Sequence, residues 1–196
     1  MEAKPRRDAL DLEEWANANV PRRYSRGDLN LIPDEAQHKR WLFKWVKRLH
    51  EIEPTGVGLV IAGPHGTGKS TIACQLLGQI MRRGPLRCYY VDAADIPGVA
   101  IRQADTALGE NEWRLLCGGA QVLVIDDLGI DGGTDWSDRS YRNVLNKRYG
   151  HERMTIITTN LEDRDLERRV QRVSQVFSDA YEWLTIPGPY WREEEE

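Results

Sequence analysis

A chain of 196 residues, 40% hydrophobic and 30% charged, has enough apolar material for one substantial core and too much for wholesale disorder. Its formal net charge is −4, and Glu193 to Glu196 supply four negatives, so the remainder is formally neutral. A uniformly basic surface is excluded, and any contact with nucleic acid has to come from a local cluster. No apolar run is long enough to span a membrane, and the charged start, Met1 to Arg7, has no hydrophobic block behind it. The expectation is a cytoplasmic protein with no membrane contact. Cys74, Cys88 and Cys117 are odd in number and set among apolar residues, which fits buried free thiols. His38, His50, His65 and His151 show no metal-ligand spacing.

In chain order, Ala9, Leu12, Trp15 and Ala16 lie on one face of a short helix, and Pro21-Arg22-Arg23-Tyr24 is expected to break it. A second helix starts near Pro33-Asp34; its stripe of Trp41, Leu42, Trp45, Val46 and Leu49 reads as core packing over a sheet edge. Apolar runs at 59–62, 87–91, 122–125, 154–158 and 183–186 read as strands, the last two separated by Arg-rich helical pieces over 162–176. Weak helices fill 94–117, with Gly98 and Gly109 as breaks, and a further helix lies near 137–149. Strands alternating with helices predict an α/β fold, a parallel sheet with helices on both faces and a ligand at the carboxyl ends of the strands.

Between the first strand and the helix carrying Ile72, Ala73, Leu76, Leu77 and Ile80 stands Gly63-Pro64-His65-Gly66-Thr67-Gly68-Lys69-Ser70, followed by Thr71. It fits G-x-x-x-x-G-K-[ST] in the strand, loop, helix setting that gives the pattern its meaning. The glycines let successive backbone N–H groups converge on a polyanion, and the following helix adds its positive end. Lys69 then reaches the β- and γ-phosphates of ATP, and the Ser70 hydroxyl is placed to ligate Mg2+.

A second group gathers at the same rim. Asp126-Asp127 follows a buried strand; alone such a pair is often a turn, but behind a phosphate loop it reads as the metal-holding and water-orienting carboxylates. Asp126 is assigned to the metal's water shell and Asp127 to the attacking water. Asn160 ends the fourth strand in the same way, as a turn former or N-cap in isolation and as a contact for the γ-phosphate or lytic water in this company.

The ordered blocks GPHGTGKS, YYVDAADI, VLVIDDLG, ITTN, ERRVQR and GPYWR resemble the AAA+ helicase loaders of the DnaC type and their IstB transposition relatives, from about Pro21 to Arg192. The resemblance implies an AAA+ P-loop NTPase core with a five-stranded parallel sheet between helices and no C-terminal helical lid domain. It divides the chain into a short N-terminal helical extension over 1–52, open to partner binding, and an ATPase domain over 53–196. It also implies ATP and Mg2+ as cofactors, homo-oligomers with ATP sites between subunits, and action on a replicative helicase and single-stranded DNA. By the same resemblance Arg172 is the cation that reaches a neighbour's nucleotide, with Arg168 as a second choice, and Arg192 contacts phosphate within its own subunit. Beside Glu167, the two helical arginines also fit a solvated helix face.

Two departures bear on these expectations. Many AAA+ proteins carry Glu where this chain has Asp127, and the shorter reach predicts weak basal hydrolysis. Loaders of this type usually carry a longer N-terminal module, which leaves residues 8–19 as the visible candidate for gripping a helicase. DNA contacts are divided between Arg102 and Arg114, in the segment that matches the family's channel-facing insertion, and Arg139, Arg142, Lys147 and Arg148 on a later helix. An IstB-like transposition regulator shares every motif, and a small-molecule P-loop kinase is the more distant rival.

Overall fold

The computed structural model describes residues 10–27, 29–32, 36–129, 134–161 and 180–188. Five strands, β1 (Gly58–Ala62), β2 (Cys88–Asp92), β3 (Val122–Asp126), β4 (Met154–Thr159) and β5 (Tyr181–Thr185), form one sheet in the order β2-β3-β4-β1-β5. Every pairing is parallel. The three inner strands are buried at every position, as their unbroken apolar runs require, and the edge strands only in part. The last strand starts two residues earlier than its apolar pattern suggests, because its register with β1 pairs Tyr181 with Gly58 and Glu182 with Leu59.

Alternate residues face opposite layers. Leu59, Ile61, Val124 and Ile156 pack under α1 (Leu12–Asn17), α3 (Gln37–Ile52) and α4 (Lys69–Met81), in one cluster with Trp15, Leu42, Trp45, Leu49, Leu76 and Leu77. Val60, Leu123, Ile125 and Ile157 pack under α5 (Ile96–Arg102), α6 (Ala107–Arg114) and α7 (Asp135–Gly150), with Val99, Trp113, Tyr141, Val144 and Leu145. The tryptophan stripe of α3 is therefore core, with Trp41 only partly covered, and Arg48 on the same helix pairs with Glu182 of edge strand β5 at 3.1 Å. Among the described residues no helical lid domain follows the sheet, and no helix is long and apolar enough to cross a membrane. The three cysteines are buried and unpaired.

Three local expectations are corrected. Gly98 and Gly109 lie inside α5 and α6 and do not break them. Pro97 stands in the first turn of α5, where a missing N–H costs nothing. Gly109 sits one turn into α6, capped by Thr106, where a Cβ would lie 2.3 Å from the Arg102 carbonyl oxygen; its role is close approach of the two helices. Pro21 to Tyr24 does not break the first helix either. The chain turns earlier, at Asn19 with φ of +57°, and Pro21 caps a short α2 (Arg22–Ser25).

The N-terminal segment is fastened to the core. A reciprocal Asp11 and Glu14 capping box starts α1, and the Trp15 ring lies against the bare face of Gly78 on α4. The Tyr90 N–H donates to the Ala18 carbonyl at 2.8 Å, and Asn19 Nδ2 donates to the Tyr90 carbonyl at 3.0 Å. These two bonds occupy the free edge of β2, which would otherwise present unpaired backbone groups. Trp15→Ala is expected to cost about 3 kcal/mol in an equilibrium denaturant titration and to open the Arg22-Arg23 bond to trypsin. Undiminished protease resistance would show that the segment is held by other contacts.

Candidate nucleotide site

The loop between β1 and α4 turns through left-handed backbone at Gly66 and Gly68, with φ of +80° and +82°. A side chain is strained at both positions, whatever space surrounds it. Thr67 is fully buried and donates its hydroxyl to the Pro64 carbonyl at 3.0 Å, which closes the loop on itself. Gly63 follows β1 and donates its N–H to the Thr159 carbonyl, anchoring the loop to β4. Gly68 then caps α4, whose first residue is Lys69, so the helix's unpaired N–H groups open toward the cradle.

β4 builds the other wall. Thr158 donates to Asp126 Oδ1 at 2.5 Å and accepts the Asp127 N–H at 2.8 Å; Thr159 donates to the Leu128 carbonyl at 2.7 Å. Two buried threonines thus hold the turn after β3, and Asn160 follows at the mouth. Asp126 is 2% exposed and receives a further hydrogen bond on Oδ2 from the Tyr90 hydroxyl at 2.8 Å. Asp127 adopts φ of +56°, a conformation that Asp tolerates better than most residues.

These walls meet in one cleft, lined by His65, Gly66, Gly68, Lys69, Ser70, Thr71, Asp127 and Asn160, with Arg23 and Tyr24 of α2 added from the N-terminal segment. Asp126 is buried, and Thr158 ties it to Asp127 of the lining. Lys69 Nζ donates to the Pro64 carbonyl at 2.7 Å and to Asn160 Oδ1 at 2.6 Å. Burial pulls the Lys69 ammonium down from its ordinary value, against the opposing charges of Asp127 and Asp126. Burial also raises the Asp127 carboxyl above its ordinary range, helped by Asp126 and Asp92 and resisted by Lys69 and His65. Arg172, Arg192 and Arg168 lie outside the described residues.

The residues fit a magnesium nucleotide. An ammonium has donors only, so Asn160 must turn Oδ1 toward Lys69. Its Nδ2 is thereby left buried with no hydrogen-bond partner among the described residues, a donor awaiting an acceptor. Among the described residues no three His, Cys, Asp or Glu side chains gather as a metal cage. Magnesium takes one or two protein oxygens and completes its shell with phosphates and water. Ser70 and Asp126 are the groups that would hold it.

Tyr24, Arg23, Tyr90, Thr158 and Thr159 belong to this site, and the motif pattern alone did not assign them to it. The threonines had a signal, since polar residues closing an otherwise apolar buried strand need partners. The basic residues fare differently. Arg148 is fully buried rather than part of a surface cluster, and Arg102 is paired with Glu112 at 3.1 Å.

The sheet order, the phosphate loop at the end of β1 and the carboxylates at the end of β3 define an AAA+ P-loop NTPase core. A family model described as IstB-like ATP binding protein matches residues 44–181, and the chain belongs to that family. A Sinorhizobium fredii protein named as an insertion sequence ATP-binding protein is 31% identical over 103 residues, 53% of this chain and 41% of its own. A Pseudomonas fluorescens protein named as the ATP-binding protein of insertion sequence IS1162 is 27% identical over 117 residues, 60% of this chain and 46% of its own. The chain thus spans less than half the length of these curated relatives. Its fold is similar to the crystal structure of the DnaC helicase loader, with a TM-score of 0.75 and 24% identity over 85% of this chain and 99% of that one.

Proposed function

We propose that this chain is a magnesium-dependent ATPase that handles DNA as an oligomer, loading a replicative helicase onto single-stranded DNA in the cytoplasm. The observation that carries the reading is the meeting of Lys69, Asp127 and the unpartnered Asn160 amide in one cleft. Backbone N–H groups of the cradle, with Gly63, Pro64, His65 and Thr67 shaping it, and Lys69 bind the phosphates. Bound magnesium supplies charge neutralisation on the phosphate oxygens, and Ser70 and Asp126 would hold it. Asp127 takes the proton of the attacking water, and Asn160 donates to that water or to the terminal phosphate. Arg172 of a neighbouring copy stabilises charge on the transferring group, and Arg192 contacts phosphate in its own subunit. Residues 53–196 act as the ATPase domain. Residues 1–52 present the partner-facing extension, and since Trp15 is turned inward, the outer side of α1 is the part left for a partner.

The names of the curated relatives favour a second reading, an ATP-dependent regulator of transposition acting on DNA with a transposase. Co-purification with a helicase or with a transposase separates the two. Hydrolysis measured against protein concentration, with and without single-stranded DNA, tests what they share. Turnover is expected to rise steeply with concentration. Arg172→Ala is expected to lower it about 1,000-fold while nucleotide binding persists. Full activity at concentrations where the chain is monomeric would overturn the inter-subunit site and leave the kinase reading.

A further inference from the structure

Of the two side chains that would hold the metal, Asp126 is bonded to Tyr90 and Ser70 shares the cleft with Tyr24, and the two tyrosine rings lie against each other. Tyr90, on edge strand β2, donates its hydroxyl to Asp126 Oδ2 at 2.8 Å in buried surroundings. Tyr24, on α2, lines the same cleft as Ser70. The two rings lie 6.2 Å apart, tilted by 47°. Both tyrosines are fixed by main-chain bonds that involve the N-terminal segment. Gln75 Nε2 of α4 donates to the Tyr24 carbonyl at 2.6 Å, and the Tyr90 peptide exchanges bonds with Ala18 and Asn19.

A hydroxyl that gives a lone pair to a cation has to send its proton to an acceptor elsewhere. Both Asp126 oxygens already accept hydrogen bonds, from Thr158 and Tyr90, and the Tyr24 side chain shares the cleft with Ser70. We propose that Tyr24 and Tyr90 are positioning residues of the metal half of the site. Tyr90 fixes the Asp126 carboxylate, and the Tyr24 oxygen accepts a hydrogen bond from the Ser70 hydroxyl, which keeps its proton. Their contact couples docking of the N-terminal segment to binding of the magnesium nucleotide. The proposal rests on the nucleotide reading above. Coupling of this kind is reciprocal: a docked segment tightens metal-nucleotide binding, and the bound metal nucleotide tightens the dock.

Tyr24→Phe and Tyr90→Phe remove the hydroxyls and keep the rings, and thermal unfolding checks that each variant is folded. The affinity of a fluorescent ATP analogue, titrated in EDTA and at rising Mg2+, is the readout. In EDTA both variants should bind within about twofold of the parent, whereas the tightening that Mg2+ brings should shrink about tenfold. In the parent, Mg2+ with the analogue should also slow hydrogen exchange at the Tyr90 amide, which bonds Ala18. Identical Mg2+ titrations for parent and variants, or unchanged exchange at Tyr90, would overturn the tyrosine coupling while the nucleotide site stands. A parent that binds no analogue under either condition would overturn both. Should Tyr90→Phe fail to fold, the exchange measurement on the parent carries the test.

Discussion

Asp127→Asn is expected to lower single-turnover ATP hydrolysis by at least about 100-fold while fluorescent-nucleotide affinity stays within a few-fold of the parent. The amide keeps the shape of the carboxylate, so the backbone N–H bond to Thr158 and the left-handed turn survive, and only the proton acceptor is removed. The pH profile gives a second, independent signature. Burial and the neighbouring Asp126 raise the Asp127 carboxyl, with Lys69 and His65 pulling the other way. A base acts only when deprotonated, so turnover should fall with decreasing pH at values above the ordinary aspartate range of about 4, and the residual activity of Asp127→Asn should lack that limb. Equal turnover in parent and variant would move the base elsewhere. Asp127→Glu should not rescue speed through its longer reach alone, because Glu accommodates φ of +56° less readily than Asp. The backbone at this position thus offers a physical reason why the shorter acid stands here.

The parts of this site readable from sequence are those whose geometry is set by covalent neighbours. The glycine spacing from 63 to 68 forces the cradle, and four apolar residues before Asp126 force a buried strand that ends in a carboxylate. Tyr90, Thr158 and Tyr24 act across the fold, and their meaning depends on register. Tyr90 reaches Asp126 because β2 and β3 pair Asp92 with Asp126; Thr158 reaches it because β3 and β4 pair Ile125 with Ile157. A one-residue slip in either pairing would turn those hydroxyls to the other face of the sheet. Tyr24 lies ahead of the first strand, and the docking of Trp15 and Asn19, with the Gln75 bond to its carbonyl, brings it to the cleft. Gly109 departs from its pattern for a similar reason, since the absence of a side chain there lets α6 touch the end of α5.

Arg148 shows how far a one-dimensional charge pattern departs from the folded molecule, and its replacement should be the most destabilising single change considered. On the helical pattern it belongs with Arg139, Arg142 and Lys147, yet it is completely buried, near the C-terminal end of α7. All five of its N–H donors are used. Nε donates to Thr155 Oγ1 at 2.9 Å, Nη1 to the carbonyls of Leu116 and Ala120, and Nη2 to those of Gln121 and Met154. The acceptors lie on the turn entering β3 and on the start of β4, so one planar group ties two strands and a helix together at the end of the sheet away from the nucleotide. Burial lowers the guanidinium's pKa to about 10, which leaves it charged at neutral pH and solvated by carbonyl dipoles in place of water. Arg148→Met fills most of the volume and strands these acceptors, at a cost of about 4 kcal/mol and a melting temperature lower by about 8–16 °C. Arg148→Lys offers three donors on a point charge and should recover only part of the loss. Differential scanning calorimetry of both variants checks the ranking. An Arg148→Met protein as stable as the parent would mean that those carbonyls find other partners.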